Sequence, residues 1–281
     1  MNYPLLYVEH LSQQDIRVLA ETAGLGSSEL ERLLGERPGV IDELLASPKL
    51  YDTIFGAQDE GLDPGVSTFL TFGTLVNRSA HDLQEMSHVA EWSGPGKRLP
   101  VFDVEPMREF LDDGLRRFFL TEFLNSFTTV ASGSYLVKTR SGIQRRRFSE
   151  LDLGRMAEMV ELLPPIERAG GYRRLGDIAL FLSGVFPDHA ATHPLPPTQR
   201  HLVVSSAAIK AVDALIEDGG LRFLDTAGAG WYRRAADETV ETNRSGSGLL
   251  RVLSDRFGQA RRILNYMADS YLFHRQLGWL A

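Results

Sequence analysis

Two groups of side chains have the types and spacing to do chemistry. The first is cationic: Lys138, Arg140, Arg145, Arg146 and Arg147 fall within ten consecutive positions. Cations that close together can hold an anion by charge-assisted bonds, and arginine can grip a carboxylate or phosphate with two parallel N–H donors. The competing role is structural, since edge-strand charges also neutralise nearby acids and block aggregation. The second group is His81-Asp-Leu-Gln-Glu85-Met-Ser-His88. On a continuous helix, offsets of four and three put His81, Glu85 and His88 on one face. Glu-x-x-His is the spacing by which helical carboxylate proteins offer two ligands to a metal, here iron, manganese or zinc. A dinuclear bundle needs a second Glu-x-x-His, and the sequence has none. A face with His and Glu is also ordinary solvent-facing surface.

What the sequence lacks narrows the chemistry further. The 281 residues contain no cysteine, which removes disulfides, thiolate zinc sites, cysteine-held iron–sulfur clusters and cysteine nucleophiles. A net charge of −7 disfavours a general nucleic-acid or anionic-membrane coat and leaves room for a local basic patch. No stretch reaches the roughly 18–20 apolar residues of a membrane span. The start, MNYPLLYVEH, lacks a basic segment followed by an apolar one, so the expected location is cytoplasmic. Phosphate loops, nucleophile elbows and dinucleotide fingerprints are missing from their required contexts. These absences point to binding rather than catalysis.

The elements that must position these groups read as mainly helical, a multi-helix bundle with a small N-terminal helical module and one short β-hairpin. Residues 1–56 form the module, with Ser12 as a helix N-cap and Ser47 placed to cap a helix begun by Pro48. Ala20 and Gly24 are spaced as in a helix-turn-helix, where the small residue admits a crossing helix and glycine makes the turn. The second helix would carry Glu29, Glu31 and Glu36 against Arg32 and Arg37, a balance that favours packing or protein docking over DNA. Gly56 to Gly65, acidic and glycine-rich, reads as the boundary before a bundle domain over 66–281.

Within that domain, the first helix carries His81, Glu85 and His88. Ser93 to Pro106 reads as a Gly/Pro strap with a short extended piece at Val101-Phe102, and the phenylalanine-rich run from Met107 to Phe127 as one core helix that could line a small-molecule pocket. Residues 134–139 and 143–148 flank Arg140-Ser141-Gly142, which reads as a hairpin with a three-residue turn. Tyr172 to Pro187, YRRLGDIALFLSGVFP, is apolar nearly all round and belongs at the bundle centre. Its Asp177 lies within reach of Arg173 and Arg174 at i−4 and i−3, an ion pair expected at the bundle edge. Pro187 to His201 reads as a proline-rich loop holding His189, His193 and His201. Leu202 to Ile216 and Leu249 to Leu277 read as helices, the latter with a stripe suited to the bundle or to a homodimer.

Two pieces, YRRLGDIALFLSGVFP and FLDTAGAGWYRRAA, resemble stretches of a group of uncharacterised bacterial helical proteins. The resemblance implies a helical fold and carries over no functional residue. The functional expectation is a non-enzymatic regulatory or scaffold protein. It would bind a protein partner, or less readily a nucleic acid, through Lys138, Arg140, Arg145, Arg146 and Arg147. The alternatives are a metal-dependent oxidoreductase using His81, Glu85 and His88, and a small-molecule binding protein.

Overall fold

The computed structural model describes residues 3–56, 65–139, 142–209, 219–239 and 244–273. It is mainly α-helical, with two separate two-stranded antiparallel hairpins among the described residues. Among those residues no helix is long and apolar enough to cross a membrane. Contacts divide the chain into two compact units.

The first unit comprises Met1–Val89, Val101–Thr128 and Asp269–Ala281, so the N-terminal helices share it with later segments. Its helices are α1 (Tyr3–His10), α2 (Gln13–Ala23), α3 (Ser27–Glu36), α4 (Val40–Leu45), α5 (Pro48–Tyr51), α6 (Thr68–Glu85), α7 (Glu105–Leu111) and α8 (Gly114–Ser126). Ser12 caps α2 in a reciprocal box: Asp15 N–H donates to Ser12 Oγ at 3.1 Å and Ser12 N–H to Asp15 Oδ2 at 2.8 Å. Asp15 is fully buried, and its Oδ1 accepts the Ser67 N–H at 2.8 Å, which ties the start of α2 to the N-cap of α6. Ser47 makes no side-chain cap bond to α5. The α2–α3 turn forms at Gly24 with φ 71°, as its spacing predicts. The expected Met107–Phe127 helix is two helices, because the Asp113 carboxylate caps α8 by accepting from Leu115 N and Arg116 N.

The second unit comprises Ala90–Pro100 and Thr129–Ala268. Its helices are α9 (Leu153–Leu162), α10 (Pro165–Val185), α11 (Pro187–Thr192), α12 (Pro197–Ser206), α13 (Leu221–Thr239), α14 (Arg244–Asp255) and α15 (Phe257–Met267). The segment expected at the centre is there: α10 buries Tyr172, Leu175, Ile178, Ala179, Leu180 and Val185. It crosses α13 where small residues let the helices close up. A Cβ on Gly176 would stand 2.8 Å from the Tyr232 ring, and one on Gly228 would stand 3.1 Å from the Ala179 Cβ of α10 and overlap the Phe257 ring of α15. The stretches YRRLGDIALFLSGVFP and FLDTAGAGWYRRAA therefore pack on each other. The expected Leu249–Leu277 helix breaks at Arg256, which leaves helical geometry at φ −116°, ψ 29°. Residues 210–216 of the expected Leu202–Ile216 helix lie outside the described residues, as do Trp279 and Leu280.

The expected strap is a hairpin of β1 (Val89–Gly94) and β2 (Lys97–Val101). Pro95-Gly96 makes its turn, proline presetting the first corner and Gly96 taking φ 66° at the second. Asp188 and the arginines of α15 hold it to the second unit. Trp92 Nε1 and Gly96 N both donate to Asp188 Oδ1, while Glu91 Oε2 meets Arg262 Nε at 3.1 Å.

Candidate functional site

The basic hairpin forms from β3 (Ser132–Thr139) and β4 (Gly142–Ser149). Its register pairs Ser134 with Arg147, Tyr135 with Arg146, Leu136 with Arg145 and Lys138 with Ile143. Thr139 pairs with Gly142, so the turn is one residue shorter than the three expected; Arg140 and Ser141 lie outside the described residues. Positions 138, 145 and 147 share one parity of the ladder, and 146 has the other. Arg145 and Arg147 are exposed. Arg145 Nε donates to Ser134 Oγ at 2.8 Å, a diagonal contact that holds its stem along the strand. Neither arginine has an ion-pair partner among the described residues.

The root of this hairpin is fixed from inside. Glu150, the residue after β4, has its amide donating to Ala131 O at 2.9 Å, while its own Oε2 accepts from Ala131 N at 3.0 Å. Its Oε1 accepts from Arg174 Nε at 2.5 Å. Burial would raise the carboxyl's pKa, but the Arg174 hydrogen bond, the Ala131 amide and the arginine's charge together hold it below its usual value of 4.5. Arg174 and Arg173 each approach Asp177 Oδ2 at 4.0 Å. Asp177 therefore has the two arginine neighbours its spacing predicts, but it sits in the core and not at the bundle edge: only 5% exposed, it accepts the Tyr232 hydroxyl at 2.7 Å. A polar chain thus runs Glu150, Arg174, Asp177, Tyr232, from the hairpin root into the α10–α13 crossing. Burial, then the charge and hydrogen bond of Asp177, push the Tyr232 phenol well above its usual pKa, so it remains a donor.

The His81, Glu85 and His88 group does not assemble as expected. Helix α6 stops at Glu85 and Met86 is extended at φ −84°, ψ 131°, so His88 leaves the helical face. The stop has a visible cause in Arg108, whose Nε and Nη2 donate to the terminal carbonyls of Leu83 and Met86 at 2.8 and 2.7 Å. His81, Glu85 and His88 are all exposed, and the His88 ring lies 5.3 Å from that of Phe102. Among the described residues no group of three or more His, Asp or Glu side chains is placed to hold a metal ion.

The phenylalanines of the expected pocket, Phe110, Phe118, Phe119, Phe123 and Phe127, are buried core. Phe119 and Phe123 stack, and Phe127 meets Phe123 edge-on. Two cavities are lined by other residues. A cleft of about 760 Å³ runs along α13 past Asp225, Arg233 and Asp237 to Ser254 and Asp255. Several of its polar groups are committed: Asp225 to Arg261 at 3.0 Å, Asp237 to Arg251 at 2.7 Å and Ser254 to Ala229 O at 2.8 Å. A second cavity, of about 280 Å³, is apolar with two histidines among its lining residues. Neither was legible in the sequence, since each is bounded by residues from helices far apart in the chain.

Compared with known proteins, the chain matches no family model, no curated protein and no solved structure.

Proposed function

We propose that this is a non-enzymatic binding protein that engages an acidic segment of a protein partner through the β3–β4 hairpin. The observation that carries the reading is the exposure of Arg145 and Arg147 on a strand whose root is pinned to the core through Glu150 and Arg174. Two residues apart on one strand, their α-carbons are about 6.8 Å apart. The Arg147 guanidinium and the two Nη groups of Arg145, whose Nε is held by Ser134, can each take one carboxylate bidentately. An anchored hairpin also lowers the ordering cost of presenting two long side chains together. The partner class follows from charge. The chain is acidic overall, with a net charge of −7, so a long polyanion such as duplex nucleic acid would meet repulsion beyond the hairpin.

The test compares fluorescence anisotropy of a labelled oligoglutamate peptide and a labelled duplex DNA with the whole protein. The reading expects the peptide to bind more tightly. It also expects Arg145→Lys with Arg147→Lys to weaken the peptide complex although charge is kept, because lysine cannot form the paired contact. Tighter binding to the duplex would reassign the partner to nucleic acid.

A further inference from the structure

We infer that the cavity beside α11 is a binding site for an uncharged aromatic molecule of one or two fused rings that carries a single hydroxyl or N–H donor. The cavity measures about 280 Å³ and is walled by Leu153, Leu182, Phe186, Ala190, Leu195 and Leu224, with His189 and His193 as its imidazoles. A cavity of about 150 Å³ already accepts benzene. The volume here suits two fused rings, and a wall of six large apolar side chains, Leu151 among them, and one alanine favours a ligand whose body is equally apolar.

The donor requirement comes from His193. Its Nδ1 lies 3.0 Å from Thr192 Oγ1 and 3.2 Å from the His189 carbonyl oxygen. A carbonyl only accepts, and the Thr192 hydroxyl sends its own hydrogen to the Asp188 carbonyl at 2.8 Å. Nδ1 therefore carries the ring hydrogen, and in the neutral imidazole Nε2 keeps the lone pair. The His189 ring, 4.3 Å away and inclined by only 21°, stacks on it and fixes its plane. Asp152, the one carboxylate in the lining, is occupied as the N-cap of α9 by the Arg155 amide at 3.0 Å. The cavity thus offers an apolar body site, and the exposed His193 imidazole among its lining residues is the acceptor we assign to it. A phenol or indole-like molecule satisfies both, whereas a carboxylate would meet a lone pair.

The experiment titrates the whole protein at neutral pH with 2-naphthol and with naphthalene, following ligand fluorescence and the thermal midpoint. Saturable 2-naphthol binding is expected, about tenfold tighter than naphthalene, the increment of one well-made hydrogen bond. Ala190→Leu, which grows into the cavity, should abolish binding of both probes. His193→Phe keeps a stacked ring without the acceptor, and should equalise the two probes while both still bind. Far-UV circular dichroism verifies the fold of each variant, and His193→Phe decides the matter if Ala190→Leu does not fold. The inference is overturned by no saturable binding of 2-naphthol, by binding that survives Ala190→Leu, or by a 2-naphthol preference that survives His193→Phe.

Discussion

Tyr232 on α13 donates its hydroxyl hydrogen to Asp177 on α10 at 2.7 Å, and Gly176, one residue before that aspartate, leaves the space its ring occupies. Both side chains are buried. The bond joins the two helices at their crossing and ends the polar chain that begins at Glu150 beside the basic hairpin. A surface feature and the core are thereby mechanically connected through four side chains.

Removing the hydroxyl alone should be costly. Tyr232→Phe keeps the ring but takes a hydrogen-bond donor from the buried Asp177 carboxylate, and a stability loss of roughly 1–3 kcal/mol is expected in urea unfolding. Gly176→Ala should cost a similar roughly 1–3 kcal/mol by overpacking against the same ring. Because both changes act at one contact, the double variant should lose less than the sum of the two singles.

Acid should loosen the hairpin root. The Glu150 pKa is lower folded than unfolded, so its contribution to stability is complete above its ordinary value of 4.5 and is lost as pH falls through the lower folded-state value. Unfolding free energies measured from neutral pH downward should therefore decline in the acid limb. The decline should be shallower in Glu150→Gln, whose amide does not titrate. Hydrogen exchange at the β3–β4 amides should also quicken in that variant.

Glu91 tests the other hairpin. It faces Arg262 at 3.1 Å and Arg261 at 3.7 Å, and all three side chains are less than a fifth exposed. Glu91→Ala takes a shared carboxylate from two largely buried guanidiniums, of which Arg261 keeps Asp225 at 3.0 Å, and a loss of roughly 1.5–3 kcal/mol is expected. Trp92, whose indole donates to Asp188, should report the release of this hairpin by its fluorescence.

Much of the frame was legible from local pattern. Tyr172 to Pro187 announced a central helix because it is apolar around its circumference, and the β3–β4 hairpin announced itself by short strands around a glycine. Distant partners were not legible. The i−3 and i−4 arginines of Asp177 could be read from spacing, but Tyr232 lies 55 residues away, and nothing local marks it as the nearer partner. His88 departs from the helical face its spacing predicts for the same kind of reason, because the end of α6 is set by Arg108 from a different helix. The β1–β2 hairpin had a readable signal in Pro95-Gly96, which fits a type II turn, but the strands beside it do not alternate cleanly.

The N-terminal box offers a smaller check. Ser12→Ala removes the acceptor for the Asp15 amide, with an expected loss of about 1 kcal/mol. Asp15→Ala should cost more, because it also frees the Ser67 amide that links α2 to α6.

Arg145 and Arg147 carry the proposed binding, and its most direct test is oligoglutamate binding to wild type and to the Arg145→Glu, Arg147→Glu double variant at low and high salt. Wild-type affinity should fall steeply as salt rises, and the double variant should bind at least about tenfold more weakly at low salt with a flatter dependence. Affinity that is indifferent to salt, or unchanged by the double reversal, would contradict the hairpin as the binding surface.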